Sequence, residues 1–228
     1  HVYLTGVTKI GVGNQFHAGC VIGDAPQDLK YTGAPTRVRI GDRNVFREHV
    51  TVHRATKADG ETVVGSNNFL MAGAHVAHNC VVGNDVIIAN GAMLGGHAEV
   101  QDRALISGNC LVHQFCRVGT LAMMQGGAAI SQDLPPFTVV HNVNELCGLN
   151  VVGLRRAGLT ADERLELKRL YRALFRGGKN LREAAAAAQA TFTGAPAKVM
   201  LEFITGTRRG VCSDSNAGGP AEPPDEPT

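Results

Sequence analysis

The chain has 228 residues with 28 glycines, no tryptophan and 5% aromatics, so the apolar 44% must pack as small and β-branched aliphatic side chains. Its 22 basic and 20 acidic residues leave a formal charge of +2, which excludes nucleic-acid binding by bulk charge, and no apolar run approaches the ~18 residues of a membrane span. His1 opens the chain inside a patterned segment with no signal-like stretch, which predicts a cytoplasmic chain that starts late in a longer repeat.

From the N-terminus, apolar residues return at every sixth position: Leu4, Ile10, Phe16 and Ile22. The period resumes at Ile40, Phe46 and Val52 after twelve extra residues within 24–39, and again at Val64 after six extra residues within 54–63. It then runs without a miss through Leu70, Val76, Val82, Ile88, Leu94, Val100, Ile106, Val112, Val118, Met124 and Ile130. Four residues after each anchor from Leu70 to Met124 stands a compact residue, from Ala74 and Cys80 to Ala122 and Ala128, and both positions are expected to face inward. This period fits a mainly β fold: a left-handed parallel β-helix of hexapeptide repeats, triangular in section, with three six-residue turns per coil of eighteen. Gly11, Gly41, Gly65, Gly83, Asn84 and Gly119 are expected at corners that need positive φ or tight turns.

Cys20, Cys80, Cys110 and Cys116 occupy compact inward positions, and Cys147 and Cys212 lie outside the repeat. Without a secretory signal, this pattern predicts reduced thiols. The repeat stops at Pro135-Pro136. Thr160 and Glu163 form a capping box ahead of Leu165, Leu167, Leu170, Leu174 and Phe175, and Gly177-Gly178 ends that helix. Further helices are expected over 181–191 and 197–204. The predicted organisation is a β-helix over 1–136, lacking its first coils, a C-terminal α-helical domain over 137–212, and a disordered Gly/Pro/acid-rich tail over 213–228.

Coils of eighteen stack residues eighteen apart into columns at ~4.8 Å spacing. His78 therefore shares a column with Gly96 and Gln114, Asn79 lies under His97, and His113 lies above Gly95 and Ala77. Counting turns in threes also brings the 27–30 loop and His53 to the vertex that carries His75, His78, His97 and His113. A histidine near neutrality can take a proton from a hydroxyl while a glutamine or backbone N–H holds an oxyanion, which suits acyl transfer. Three histidines can equally bind Zn²⁺, so a metal enzyme stays open at this point.

The segments Gln27-Asp-Leu-Lys-Tyr-Thr-Gly-Ala-Pro-Thr36, Val52-His-Arg54, His75-Val-Ala-His-Asn-Cys80, Gly95-Gly-His97, Val112-His-Gln-Phe115, Gln132-Asp-Leu-Pro-Pro136 and Gly153-Leu-Arg-Arg156 together resemble the bacterial UDP-N-acetylglucosamine O-acyltransferases. The resemblance implies transfer of an R-3-hydroxyacyl group from the 4'-phosphopantetheine of acyl carrier protein to the 3-hydroxyl of UDP-N-acetylglucosamine, the first step of lipid A synthesis. It further implies a homotrimer with sites between subunits, and no metal or other cofactor. Carried over by position, it makes His78 the general base. Gln27, Asp28, Lys30, His53, His75, Asn79, His97, His113, Gln114, Asn150 and Arg156 become substrate contacts, and Gly126 the position that limits acyl length. Relatives often carry Asp after the base histidine; Asn79 can orient the ring but supplies no charge. The basic residues Arg155, Arg156, Lys168, Arg169, Arg172, Arg176, Lys179 and Arg182 are expected to dock the acidic carrier protein. The alternatives are another hexapeptide acyltransferase such as the N-acyltransferase of the same pathway, a trimeric zinc lyase, and a catalytically silent partner-binding protein.

Overall fold

A computed structural model describes residues 1–214 and resolves each six-residue turn into one short strand. The strands of the repeat stack in parallel, every third turn returning to the same sheet, and with the elements that follow they make sheets of seven, six and nine strands. The first sheet pairs Leu4 with Ile22, Ile22 with Val52, Val52 with Val76, Val76 with Leu94 and Leu94 with Val112. Those offsets are eighteen except across the two insertions, which loop out and leave the register of the coils intact. The anchors Ile22, Val52, Leu70, Val76, Ile88 and Leu94 and the compact Ala74, Cys80, Val86 and Ala92 are all 0% exposed, so each coil is filled by one large and one small side chain per turn. All six cysteines are free, with only Cys147 exposed.

The inward position also holds Asn14, Asn44 and Asn68, which form an amide ladder. Asn14 Oδ1 accepts from the Asn44 backbone N–H, Asn44 Oδ1 from that of Asn68, and Asn68 Oδ1 from that of Val86 at 2.7 Å. The side-chain nitrogens of Asn44 and Asn68 donate to the carbonyls of Gly65 and Gly83. The buried amides of Asn44 and Asn68 thus satisfy corner backbone that would otherwise be stranded.

The corners differ from expectation in one respect. Gly11, Gly41, Gly65, Gly83, Asn84 and Gly119 do not have positive φ; that conformation falls three residues after most anchors, at Arg43, Asn67, Asn79, Asp85, His97, Asn109, Phe115 and others. The glycines answer to space instead. A Cβ at Gly65 would stand 2.3 Å from the Gly83 carbonyl oxygen, and one at Gly119 would stand 2.4 Å from Pro136 N. The next coil passes too close to admit a side chain.

The six-residue period ends at the prolines, but the sheet does not. A hairpin of Thr138–His141 and Glu145–Leu149 adds to the nine-stranded sheet through parallel pairing of Met123 with Val139. Four helices follow: α1 (Val151–Arg156), α2 (Ala161–Phe175), α3 (Leu181–Ala188) and α4 (Ala195–Thr205). α2 has the expected capping box, with Thr160 and Glu163 bonded reciprocally. α3 stops three residues short of the predicted end, and α4 starts two residues early because Pro196 fits the first turn. Ser213 and Asp214, expected in the tail, instead pair with Glu145 and Leu146, and the buried Asp214 carboxylate accepts from Tyr171 Oη and Arg176 Nε. The remainder of the predicted tail lies outside the described residues. At the end of the repeat, Asp133 receives a two-pronged bond from Arg117, and Arg117 also donates to the Phe203 carbonyl of α4.

Candidate active site

The corner between the first and second sheets carries the histidine cluster. Gly95 and Gly96 make room for it. A Cβ on Gly96 would stand 2.4 Å from His78 Cε1 and 2.6 Å from its Nε2, so the imidazole lies flat over the bare backbone of the next coil. His97, held by a corner φ of 61°, turns its ring edgewise to His78 at 5.4 Å and stacks on Phe115 at 4.6 Å. One coil down, His75 meets His53 at 4.9 Å and shares a 2.6 Å hydrogen bond between its Nδ1 and Thr51 Oγ1. His113 stands on the other side, its Nδ1 3.1 Å from the Gln114 carbonyl and 3.3 Å from Arg209.

Burial, reinforced by His53 and His78 nearby, holds the His75 pKa down at about 4. His53 is lowered by burial against the opposing pull of Asp24. His97 is also lowered by burial, with His78 and Lys57 acting in the same sense and Asp28 opposing. These three rings therefore favour the neutral form. The last pair of influences places both insertions at this corner, since Asp28 comes from the first and Lys57 from the second.

Gln27 and Lys30 are exposed on the first insertion, where Asp28 Oδ1 accepts from the Lys30 backbone N–H at 2.9 Å. Arg54 secures the base of that loop through Tyr31 Oη and the Gly23 carbonyl. Asn79 contacts His78 through its side-chain oxygen, 3.0 Å from Nδ1. The described chain does not bring the remaining candidates to this corner. Asn150 caps α1, bonding Gly153 N–H and the carbonyl of Leu121 at the corner between the second and third sheets, and Arg156 is exposed in the last turn of α1. Gly126 lies exposed at the corner between the third and first sheets. Thr51, Thr56, Lys57 and Arg209 escape the sequence reading: Thr56 and Lys57 lie in an insertion outside the period, and Arg209 follows the helices. For Thr51 a signal existed in its column, directly beside His75.

The cluster stands on a ridge between two cavities. On the first-sheet side, a cavity of about 370 Å³ is walled by Met93, Gly95, Leu111, Val112 and Val143, with His75 and His113 at its polar edge. On the second-sheet side, one of about 350 Å³ is lined by His97, Glu99, Phe115, Arg117, Arg208 and Arg209. A larger cavity, about 420 Å³, lies away from the histidines between the hairpin and α2, beside Leu149, Lys168, Tyr171 and Arg172. Among the described residues, no three His, Cys, Asp or Glu side chains are grouped to hold a metal ion.

A parallel β-helix with a histidine-bearing corner and a helical C-terminal part places the chain in the hexapeptide-repeat class; the bacterial transferase hexapeptide model matches residues 61–96. The second domain of UDP-N-acetylglucosamine O-acyltransferase matches residues 133–212. An acyl-[acyl-carrier-protein]–UDP-N-acetylglucosamine O-acyltransferase of Gloeothece citriformis is 50% identical over 184 residues, 80% of this chain and 67% of that protein. One from Synechocystis is 48% identical over 176 residues, covering 77% of this chain and 64% of the relative. The chain thus aligns with about two thirds of the length of these relatives. Among solved structures, the UDP-N-acetylglucosamine acyltransferase of Bacteroides fragilis superposes with a TM-score of 0.87 at 38% identity over 91% of this chain and 82% of that one. The Francisella novicida enzyme gives 0.86 at 31% identity over 95% and 94%. The chain belongs to the UDP-N-acetylglucosamine O-acyltransferase family.

Proposed function

We propose that the chain transfers an R-3-hydroxyacyl group from acyl carrier protein to the 3-hydroxyl of UDP-N-acetylglucosamine, in the cytoplasm, as the first step of lipid A synthesis. The observation that carries this reading is the His78 imidazole, held over Gly96 on a ridge between an apolar cavity and a basic one. His78 Nε2 takes the proton of the sugar hydroxyl, whose oxygen attacks the thioester carbonyl. Neighbouring backbone N–H groups or Gln114 steady the oxyanion. The C–S bond then breaks, and the thiolate leaves with the proton returned from the imidazolium.

The apolar wall of Met93 and Leu111, each about half exposed, suits an acyl chain. The cations Lys57, Arg208 and Arg209 suit phosphates. Asp28, Lys30, Gln27 and His97 are assigned to the sugar nucleotide, with His53, His75, Asn79, His113 and Gln114 around it. The buried His53 Nδ1 has no hydrogen-bond partner, as expected of a group that a substrate satisfies. Asn150, Arg156 and Gly126, at other corners, are assigned to the nucleotide or pantetheine and to the acyl end across an interface. They occupy two corners and the histidines a third, an arrangement that suits a site shared between subunits of a homotrimer. Arg155, Arg156, Lys168, Arg169, Arg172, Arg176, Lys179 and Arg182 are assigned to carrier docking. No cofactor takes part in the scheme.

His78→Ala tests the proposal. Loss of a positioned base costs about 10²–10⁴ in rate, so turnover of purified protein on UDP-N-acetylglucosamine with a 3-hydroxyacyl carrier protein should nearly vanish while the melting temperature holds. Retention of a third of wild-type turnover would remove His78 from the reaction.

A further inference from the structure

We infer that Thr56, reaching in from the second insertion, locks the Asn79 amide and so fixes His78 in the one neutral tautomer that can act as a base; the inference rests on the proposed role of His78. The backbone N–H of Thr56 points at Asn79 Oδ1 over 3.1 Å, and its hydroxyl reaches the same atom over 3.0 Å. A backbone N–H can only donate, so the atom facing it must be the amide oxygen and not the amide nitrogen. That same oxygen faces His78 Nδ1 at 3.0 Å. An amide oxygen bears no hydrogen to give to the ring, so Nδ1 carries the hydrogen. Nε2 then holds the free lone pair, above the bare Gly96 backbone.

The lock is built into the fold. Asn79 occupies a left-handed corner, φ 61°, and its own backbone N–H donates to the buried Thr62 Oγ1 at 2.8 Å. Its side chain is thereby aimed at the insertion rather than at solvent. Thr56 and Asn79 are positioning residues: neither needs to touch the reacting atoms. An amide selects the tautomer without placing a charge beside Nδ1. The titratable and charged groups around it are His97, His75 and His53, with Lys57 and Asp28 near His97 and Asp24 and Arg54 near His53.

Two measurements test this. Long-range ¹H–¹⁵N spectra of labelled protein with the neutral His78 ring should show a pyrrole-type Nδ1 and a pyridine-type Nε2; the opposite assignment overturns the lock whether or not variants fold. In kinetics, Asn79→Asp places a carboxylate beside Nδ1 and should move the acid limb of kcat/KM upward by about one pH unit or more. Thr56→Val removes one neutral donor and should lower kcat about fivefold at unchanged KM, with Thr56→Ser restoring it. An unmoved acid limb refutes the inference, and full activity in Thr56→Val refutes the part given to the Thr56 hydroxyl, since valine keeps the backbone N–H. If His78→Ala stays active, the base assignment fails, while the spectrum still reports the tautomer on its own.

Discussion

Gly95 and Gly96 are adjacent, yet each lacks a side chain for a different reason. A Cβ on Gly96 would meet first the imidazole of His78, the end of a side chain able to swing away. A Cβ on Gly95 would meet backbone: Gln114 N at 2.7 Å and the Val112 carbonyl oxygen at 3.0 Å. Gly96→Ala should therefore keep the fold and displace the base, and a displacement of ~1 Å is enough for roughly a hundredfold loss of turnover. Gly95→Ala should instead overpack the coil, costing about 1–3 kcal/mol in denaturant unfolding. Equal effects of the two on stability would show that the His78 ring cannot yield. Both glycines are legible in the sequence as partners of histidines eighteen residues away. Which one answers to the ring and which to the backbone is not, because that depends on the direction of each Cα–Cβ bond at the corner.

The anchors and compact partners are visible without coordinates because a six-residue period forces the same two inward positions on every turn. The corners are less so, because glycine serves two ends there, and in this fold close approach of the next coil decides most of its uses. Non-periodic elements hide more. The hairpin after Pro136 carries no six-residue signal and joins the sheet by pairing at its edge, and α1 is a short helix containing Gly153. The junction of the two parts rests on Asp133, 1% exposed, whose carboxylate accepts from Arg117 Nε and Nη2, from the Arg117 backbone N–H and from Thr207 Oγ1. Removing one partner of such a buried pair strands the other. Asp133→Ala is expected to lose about 3–5 kcal/mol in chemical denaturation, with hydrogen exchange rising first in α4, which Arg117 also holds through Phe203. Unchanged protection of α4 would place its anchorage in apolar packing alone.

At the scale of the whole molecule, the β-helix is a stack in which each coil touches only its neighbours, so a site can form only where side chains of successive coils line up or an insertion bends over them. The histidine corner uses both routes. His53, His75, His78, His97 and His113 come from consecutive coils, and Asp28 and Lys57 arrive from the two insertions. The alignment follows from arithmetic on the sequence; the reach of the loops does not, since neither has a period to fix its path.

Packing imidazoles this closely makes acid stability depend on the corner. His75, His53 and His97 all have pKa values lowered from 6.5 in the folded chain, chiefly by burial, and His75 falls to about 4. Below pH 6.5 the unfolded chain binds protons that the native corner refuses, so stability is complete above that value and declines as the pH falls. For His75 the decline continues to about pH 4, where the native ring also protonates. Each proton of difference contributes at most about 1.4 kcal/mol per pH unit. His75→Gln keeps a polar side chain beside Thr51 but cannot titrate. Urea unfolding of wild type and His75→Gln across pH 4–7 should give curves that separate below pH 6.5, with the variant losing stability less steeply. Parallel curves over that range would mean that water reaches the His75 ring in the native corner and lets it titrate as it does in the unfolded chain.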